Sequence, residues 1–203
     1  MKRYWILIFL FSIAGICSAQ QFPFEFWHEG KIVLESSDTL KGLIKYDLQN
    51  DLLQLKRANQ LESYSARKVL FFEIFDQSAK RYRAFYSLPY SQNNTYNTPT
   101  FFELLAEGKL TVLTREKLEY RTVSSSFYYY GTYTRLVLVH TYFLLKPNGK
   151  IEELANPKRS NWLELMENKV DEVKAFAKEN RLDFEDKYEL IRIIEYYNSL
   201  FQK

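Results

Sequence analysis

Two glutamates set in otherwise apolar, strand-like runs are the first side chains here that could do chemistry: Glu73 within residues 70–75 and Glu103 within 101–105. A pair of carboxyls, one protonated and one ionised, can cleave a glycosidic bond, and such pairs are often far apart in sequence. In alternating strands both glutamates also read simply as solvent-facing members. A second constellation is Phe127, Tyr128, Tyr129, Tyr130, Gly131, Thr132 and Tyr133, preceded by three serines. Tyr128, Tyr129, Tyr130 and Tyr133 could form a rigid amphipathic platform for a sugar ring, a peptide or a partner. Consecutive residues of a strand alternate faces, so only some of the four can share one surface, and an edge strand packed on the body is the simpler use for them.

Other constellations are weaker. Glu25, His28 and Glu29 flank Trp27, and a carboxylate three residues from a histidine can chelate on a helix. This segment reads instead as an N-terminal arm entering a strand, which makes the trio surface residues. Ser124, Ser125 and Ser126 with His140 offer a nucleophile and a base, but no glycine-flanked serine elbow exists, and His140 sits inside an apolar run where packing is its expected role. The glycines beyond residue 19, at 30, 42, 108, 131 and 149, are isolated, so no phosphate-binding loop is expected. Nothing in the chain calls for a metal or another cofactor. Asn93, Asn94 and Thr95 match a glycosylation sequon, a weak pattern.

Whatever does chemistry must be positioned by a body, and composition bounds it. The first 19 residues read as a secretory signal: Lys2 and Arg3, then an apolar run over 5–16 too short to span a bilayer comfortably, then Cys17, Ser18 and Ala19. Ile16 is not the small residue that lipidation of Cys17 wants. Removing 19 of 203 residues leaves 184, about one domain, with no cysteine and hence no disulfide or thiol chemistry. Losing Lys2 and Arg3 takes the basic count from 28 to 26 against 25 acidic residues, and no Lys/Arg block stands out, so a nucleic-acid partner is not expected. Sixteen Tyr, 16 Phe and 3 Trp favour a β-rich body.

Short apolar or alternating runs separated by turn residues predict an antiparallel meander: strands over 31–35, 39–47, 52–56, 64–75 and 82–87. Gly42 marks a bend or bulge, and residues 89–99 read as a loop. Residues 101–105 and 110–113 form a hairpin turning at Gly108, or alternatively a short helix ending there. Residues 136–145 are continuously apolar, as in a strand buried on both faces if it is central, and 151–154 pair back after the turn at Pro147–Lys150. Three helices follow: one capped by Asn156 with Pro157 as its first residue, one capped by Asn168, and one capped by Asp183 with Leu190, Ile193, Ile194, Tyr197, Leu200 and Phe201 on its inward stripe.

Three stretches carry a resemblance: Gly42 to Asp47, Phe102 to Leu110, and Ile194 to Leu200. They are similar to uncharacterised secreted proteins common in Bacteroidota genomes, a family that brings no activity or site, and the resemblance implies an envelope location. The expectation is therefore an α+β fold: an antiparallel β meander forming a sheet, roll or open barrel over 20–155, followed by a C-terminal helical segment over 156–203 packed on the same domain. The expected function is an exported, non-catalytic envelope binding or interaction module of unknown ligand, engaging an envelope protein or glycan. A carboxylate-dependent hydrolase of envelope glycans is the alternative.

Overall fold

The computed structural model describes residues 22–91, 96–124 and 132–201. The fold is α+β. Ten antiparallel strands, β1 (His28–Leu34), β2 (Thr39–Asp47), β3 (Leu52–Arg57), β4 (Gln60–Ser65), β5 (Val69–Asp76), β6 (Arg81–Tyr90), β7 (Thr98–Ala106), β8 (Thr111–Ser124), β9 (Thr132–Leu145) and β10 (Ile151–Glu153), form one open sheet of order β10-β9-β8-β7-β6-β5-β1-β2-β3-β4. Helices α1 (Arg159–Glu164), α2 (Val170–Glu179) and α3 (Lys187–Ser199) follow. Among the described residues no helix is long and apolar enough to cross a membrane.

The period-2 pattern sets which side chains face inward. Along β2, β5, β6 and β7 the inward positions carry Ile44 and Tyr46, Phe72 and Ile74, Phe85, and Phe101, all buried in one core cluster. Phe72 and Phe85 are direct cross-strand partners whose rings stack at 4.4 Å between centroids. Across β7, β8 and β9 the same face carries Leu105, Val112, Tyr142 and Leu144, and the helices cover them with Trp162, Met166, Leu190, Ile194 and Tyr197. The opposite face holds a smaller cluster of Phe102, Leu113 and Phe143.

The sheet curls strongly. The β7–β8 ladder extends only from Ala106↔Val112 to Glu103↔Thr114, and beyond it the turn between β2 and β3 reaches in. There the Arg115 guanidinium donates to Asp51, to the Phe101 carbonyl and to the Leu48 carbonyl, while Asp51 accepts from the Phe101 amide at 2.8 Å. Asp51 has φ +52°, a left-handed conformation that aspartate tolerates. Its carbonyl also accepts from the Ala66 amide.

That contact explains why residues 64–75 are not one strand. The chain breaks into β4 and β5 at the short 3-10 turn Ala66–Lys68, where Ala66 is buried and its carbonyl accepts from Ser87 Oγ at 2.7 Å. Residues 89–99 also contribute more to the sheet than a loop would, since β6 runs to Tyr90 and β7 begins at Thr98; residues 92–95, with the sequon, lie outside the described residues. The stretch 101–113 is a hairpin and not a helix. Gly42 sits in regular register opposite Gly30 rather than at a bulge.

The helices begin later than the caps in the sequence suggest. Arg159 opens α1 behind Lys158, Val170 opens α2 behind Lys169, and neither cap residue supplies a side-chain bond. At α3 the cap is Asp186, which accepts from the Tyr188 and Glu189 amides, while Asp183 closes the preceding turn by accepting from the Glu185 amide. At the other end of α3, buried Asn198 accepts from the Leu110 amide at 2.8 Å and donates to the Glu107 and Leu110 carbonyls, so the helix grips the β7–β8 turn around Gly108. Residues 102–110 and 194–200 thus dock on each other.

Candidate functional site

The two core clusters are joined by a layer of buried charge. Arg83 on β6, with its side chain 1% exposed, faces inward two residues from Phe85. Its Nε and Nη2 donate to the two oxygens of Glu103 on β7 at 2.9 and 2.7 Å. Nη2 also donates to Glu116 on β8 at 2.5 Å, and Nη1 to Asp76 on β5 at 3.1 Å and to the Tyr46 hydroxyl on β2 at 2.9 Å. The Tyr46 hydroxyl in turn donates to Glu116 at 3.0 Å. From α3, Lys187 Nζ reaches Glu103 at 2.7 Å and Glu116 at 3.6 Å. Five strands and a helix meet at this one guanidinium and its partners.

Electrostatics follow from burial. Desolvation alone would raise the Glu103 carboxyl, but the Lys187 and Arg83 cations and their hydrogen bonds outweigh it and hold Glu103 down at about 2. Burial pushes the Tyr46 phenol well up from its ordinary value, against the pull of Arg83. Beside the layer stands His140 on β9, whose imidazole is pushed down to about 4, by burial first and then by Lys187. Its Nδ1 is buried without a hydrogen-bond partner and lies 4.0 Å from Glu116. A cleft of about 430 Å³ opens next to it, lined among others by Asp76, Glu116, His140, Asp186, Lys187 and Tyr188.

Chemically this is a clamp. A glycosidase acid must keep its proton near neutral pH; Glu103 cannot, since two cations saturate it. Glu103 is also not the solvent-facing residue its alternating run suggests, because β7 is an inner strand covered on both faces. Glu73 does face outward, half-buried, and pairs with Lys31 at 3.1 Å, so the two glutamates are not brought together. The partner that Glu103 does meet is Glu116.

The other candidates separate. His28 is buried, with Nε2 2.7 Å from the Pro23 carbonyl and Nδ1 3.3 Å from the Phe75 carbonyl, while Glu25 accepts from the Phe22 amide; this histidine ties the N-terminal segment to β5 and is not a surface residue. Among the described residues no three His, Cys, Asp or Glu side chains converge as metal ligands. His140 is opposite Glu116, eight strand residues from Ser124, roughly 25 Å along an extended chain, so these two cannot act together. Ser125 and Ser126 lie outside the described residues. So do Tyr128, Tyr129 and Tyr130.

Tyr133 is described, 50% exposed near the start of β9. It belongs to an arm. β8 and β9 pair with each other along 14 residues, from Thr111↔Leu145 to Ser124↔Thr132, but β7 accompanies β8 only to Thr114 and β10 accompanies β9 only at residues 143–145. Beyond Arg115 and Thr141 the two strands have no other strand beside them among the described residues. Tyr120, opposite Leu136, is 78% exposed. The residues 136–145 are thus not a central strand throughout: Tyr142, Phe143 and Leu144 are buried, and Leu136 to Val139 are half-buried.

No protein-family model, curated protein or solved structure matches this chain.

Sequence reasoning missed Arg83, Glu116, Asp76 and Lys187. A signal was present in the strands: β2, β5, β6 and β7 each carry a polar or charged group at the same parity as a buried apolar residue and two positions from it, Tyr46 with Ile44, Asp76 with Ile74, Arg83 with Phe85, Glu103 with Phe101. A charge at an inward position needs a partner at another inward position.

Replacing Arg83 by Met leaves Glu103 and Glu116 buried without their main counter-charge, and urea unfolding should show a loss of about 3–5 kcal/mol; Arg83→Lys should recover little, because an ammonium cannot reproduce the fork across Glu103 and Tyr46. Acidification should also destabilise the fold in two stages. Between about pH 6.5 and 4 the unfolded chain protonates His140 and the folded chain does not, and between about 4.5 and 2 the same holds for Glu103, so the unfolded state binds more protons throughout. In urea titrations at a series of pH values, His140→Leu should flatten the upper stage, worth roughly 2–3 kcal/mol, and leave the lower one.

Proposed function

We propose that the protein is an exported, non-catalytic binding or interaction module of the cell envelope, whose contact surface is the outer half of the β8–β9 arm with Tyr128, Tyr129, Tyr130 and Tyr133. The observation that carries this reading is the arm itself: a two-stranded extension past the last sheet neighbours, bearing exposed Tyr120 and Tyr133, ahead of a sequence with three more consecutive tyrosines. A pair of strands holds its side chains in fixed alternation, so rings on such an arm are presented with little entropy left to lose on binding. The N-terminal 19 residues and the likeness to secreted Bacteroidota proteins support an envelope location, and an envelope glycan or protein is the ligand class that aromatic faces suit.

The rival reading, a carboxylate-dependent hydrolase of envelope glycans, has less support. Its strongest candidate, Glu103, is committed to Arg83 and Lys187, and a clamp that fixes the fold is a poor place for a group that must exchange protons in every cycle.

Retention of the protein on isolated envelope glycan and on outer-envelope membrane should fall at least tenfold on one of the two when Tyr129, Tyr130 and Tyr133 are changed together to alanine, in a variant whose melting temperature matches the parent. Equal retention of parent and variant on both materials would return the tyrosines to a structural role and remove this proposal.

A further inference from the structure

The sequence of β9 and its place in the fold disagree. From Leu136 to Val139 every side chain is apolar, so both faces of the strand are apolar, which is the pattern of a strand with neighbours on both edges and cover on both faces. In the fold these residues have β8 on one edge and no strand on the other among the described residues, and all four are half-buried rather than fully buried. The free edge runs from Thr132 to Thr141. It is bounded at Tyr142, whose carbonyl accepts from the Leu154 amide at 2.9 Å just past β10.

We infer that a second copy of this chain supplies the missing neighbour, β9 pairing antiparallel with the β9 of its partner about a two-fold axis normal to the sheet. Such an axis keeps inward faces on the same side, so the register must centre on a residue, and centring on Leu136 or Val137 keeps the pairing inside the free edge. With Val137 at the centre, Leu136 faces Leu138 of the partner subunit, Arg135 faces the partner's Val139, and Tyr133 faces the partner's Thr141. Charge is compatible with this: Arg135 is the only Lys, Arg, Asp or Glu in β9, and neither register sets it against its own copy. The β8 edge is different. Lys117, Glu119 and Arg121 alternate along it, already joined by ion pairs of 2.8 and 3.6 Å, and charges of this kind are how an exposed edge is kept from pairing. An isologous contact needs only one self-complementary patch, and the unguarded β9 edge supplies it. The two arms would then form one four-stranded ribbon whose inward apolar stripe, Leu118, Leu136 and Leu138, runs on into the partner's. The inference stands on strand pairing alone and does not depend on what the tyrosines bind.

Light scattering on the full-length protein after size exclusion should give twice the chain mass. Val137→Lys with Val139→Lys, two changes at half-buried positions on the outer face, should weaken the dimer at least tenfold while circular dichroism stays unchanged. Should that variant fold poorly, single cysteines in a Cys17→Ser background decide the matter: Leu136→Cys or Val137→Cys should form an intermolecular disulfide under mild oxidation, and Tyr120→Cys on β8 should not. A monomer at all concentrations, a dimer indifferent to both lysines, cross-linking through residue 120 alone, or no cross-link at any position would each overturn the inference.

Discussion

Burying one guanidinium is the constraint on which the fold depends. Arg83 cannot lose its proton, and moving it out of water is tolerable only if every donor finds an oxygen. Those oxygens come from Asp76, Glu103, Glu116 and Tyr46, on four other strands, and Lys187 then offsets part of the excess negative charge that three carboxylates bring. To bring Tyr46 on β2 within reach of Glu116 on β8, five positions across the sheet, the sheet must curl. To bring Lys187 in, α3 must lie along β7 and β8. Curl and helix placement are thus two consequences of satisfying the same buried charges.

The clamp also separates the two parts of the molecule that could act. Inside, the apolar clusters on either side of the charge layer fix the β1–β7 curl and seat the helices, with Asn198 pinning the far end of α3 to the β7–β8 turn. Outside, β8 and β9 continue past the clamp with no further strand on either edge among the described residues. Glu116 and His140 stand at the boundary, the last opposed pair before the arm leaves the body. Glu103 and Glu116 are therefore bound up in holding the fold, while the arm beyond them presents exposed Tyr120 and Tyr133. That division is what supports the proposal of a contact surface on the arm.

Much of the fold was legible from period and punctuation. β2, β3 and the hairpin around Gly108 follow directly from alternation and turn residues, and the helical tail from its three-and-four spacing. The β4–β5 break was not legible, because Ala66 turns the chain for the sake of contacts with Asp51 and Ser87, and tertiary partners leave no mark in a local window. The helix starts slipped for a related reason: Asp183 and Asp186 are equally good caps in sequence, and burial of Phe184 between them gives the first to a turn and the second to the helix. Glu103 was misread because alternation tells which face a residue shares, not whether that face is wet. The continuous apolarity of β9 suggested a strand buried on both faces if central, and that holds only near Tyr142 to Leu144, because β10 accompanies β9 only at residues 143–145.

The central claim, that α3 and the sheet are held by shared buried charge, is tested most directly by a double-mutant cycle on Glu103→Gln and Lys187→Met, with stability measured by urea unfolding. The expected result is a coupling of about 1–3 kcal/mol, since each side chain loses most of its purpose when the other is gone. Additivity within about 0.5 kcal/mol would contradict the account and show that α3 is seated by its apolar stripe alone.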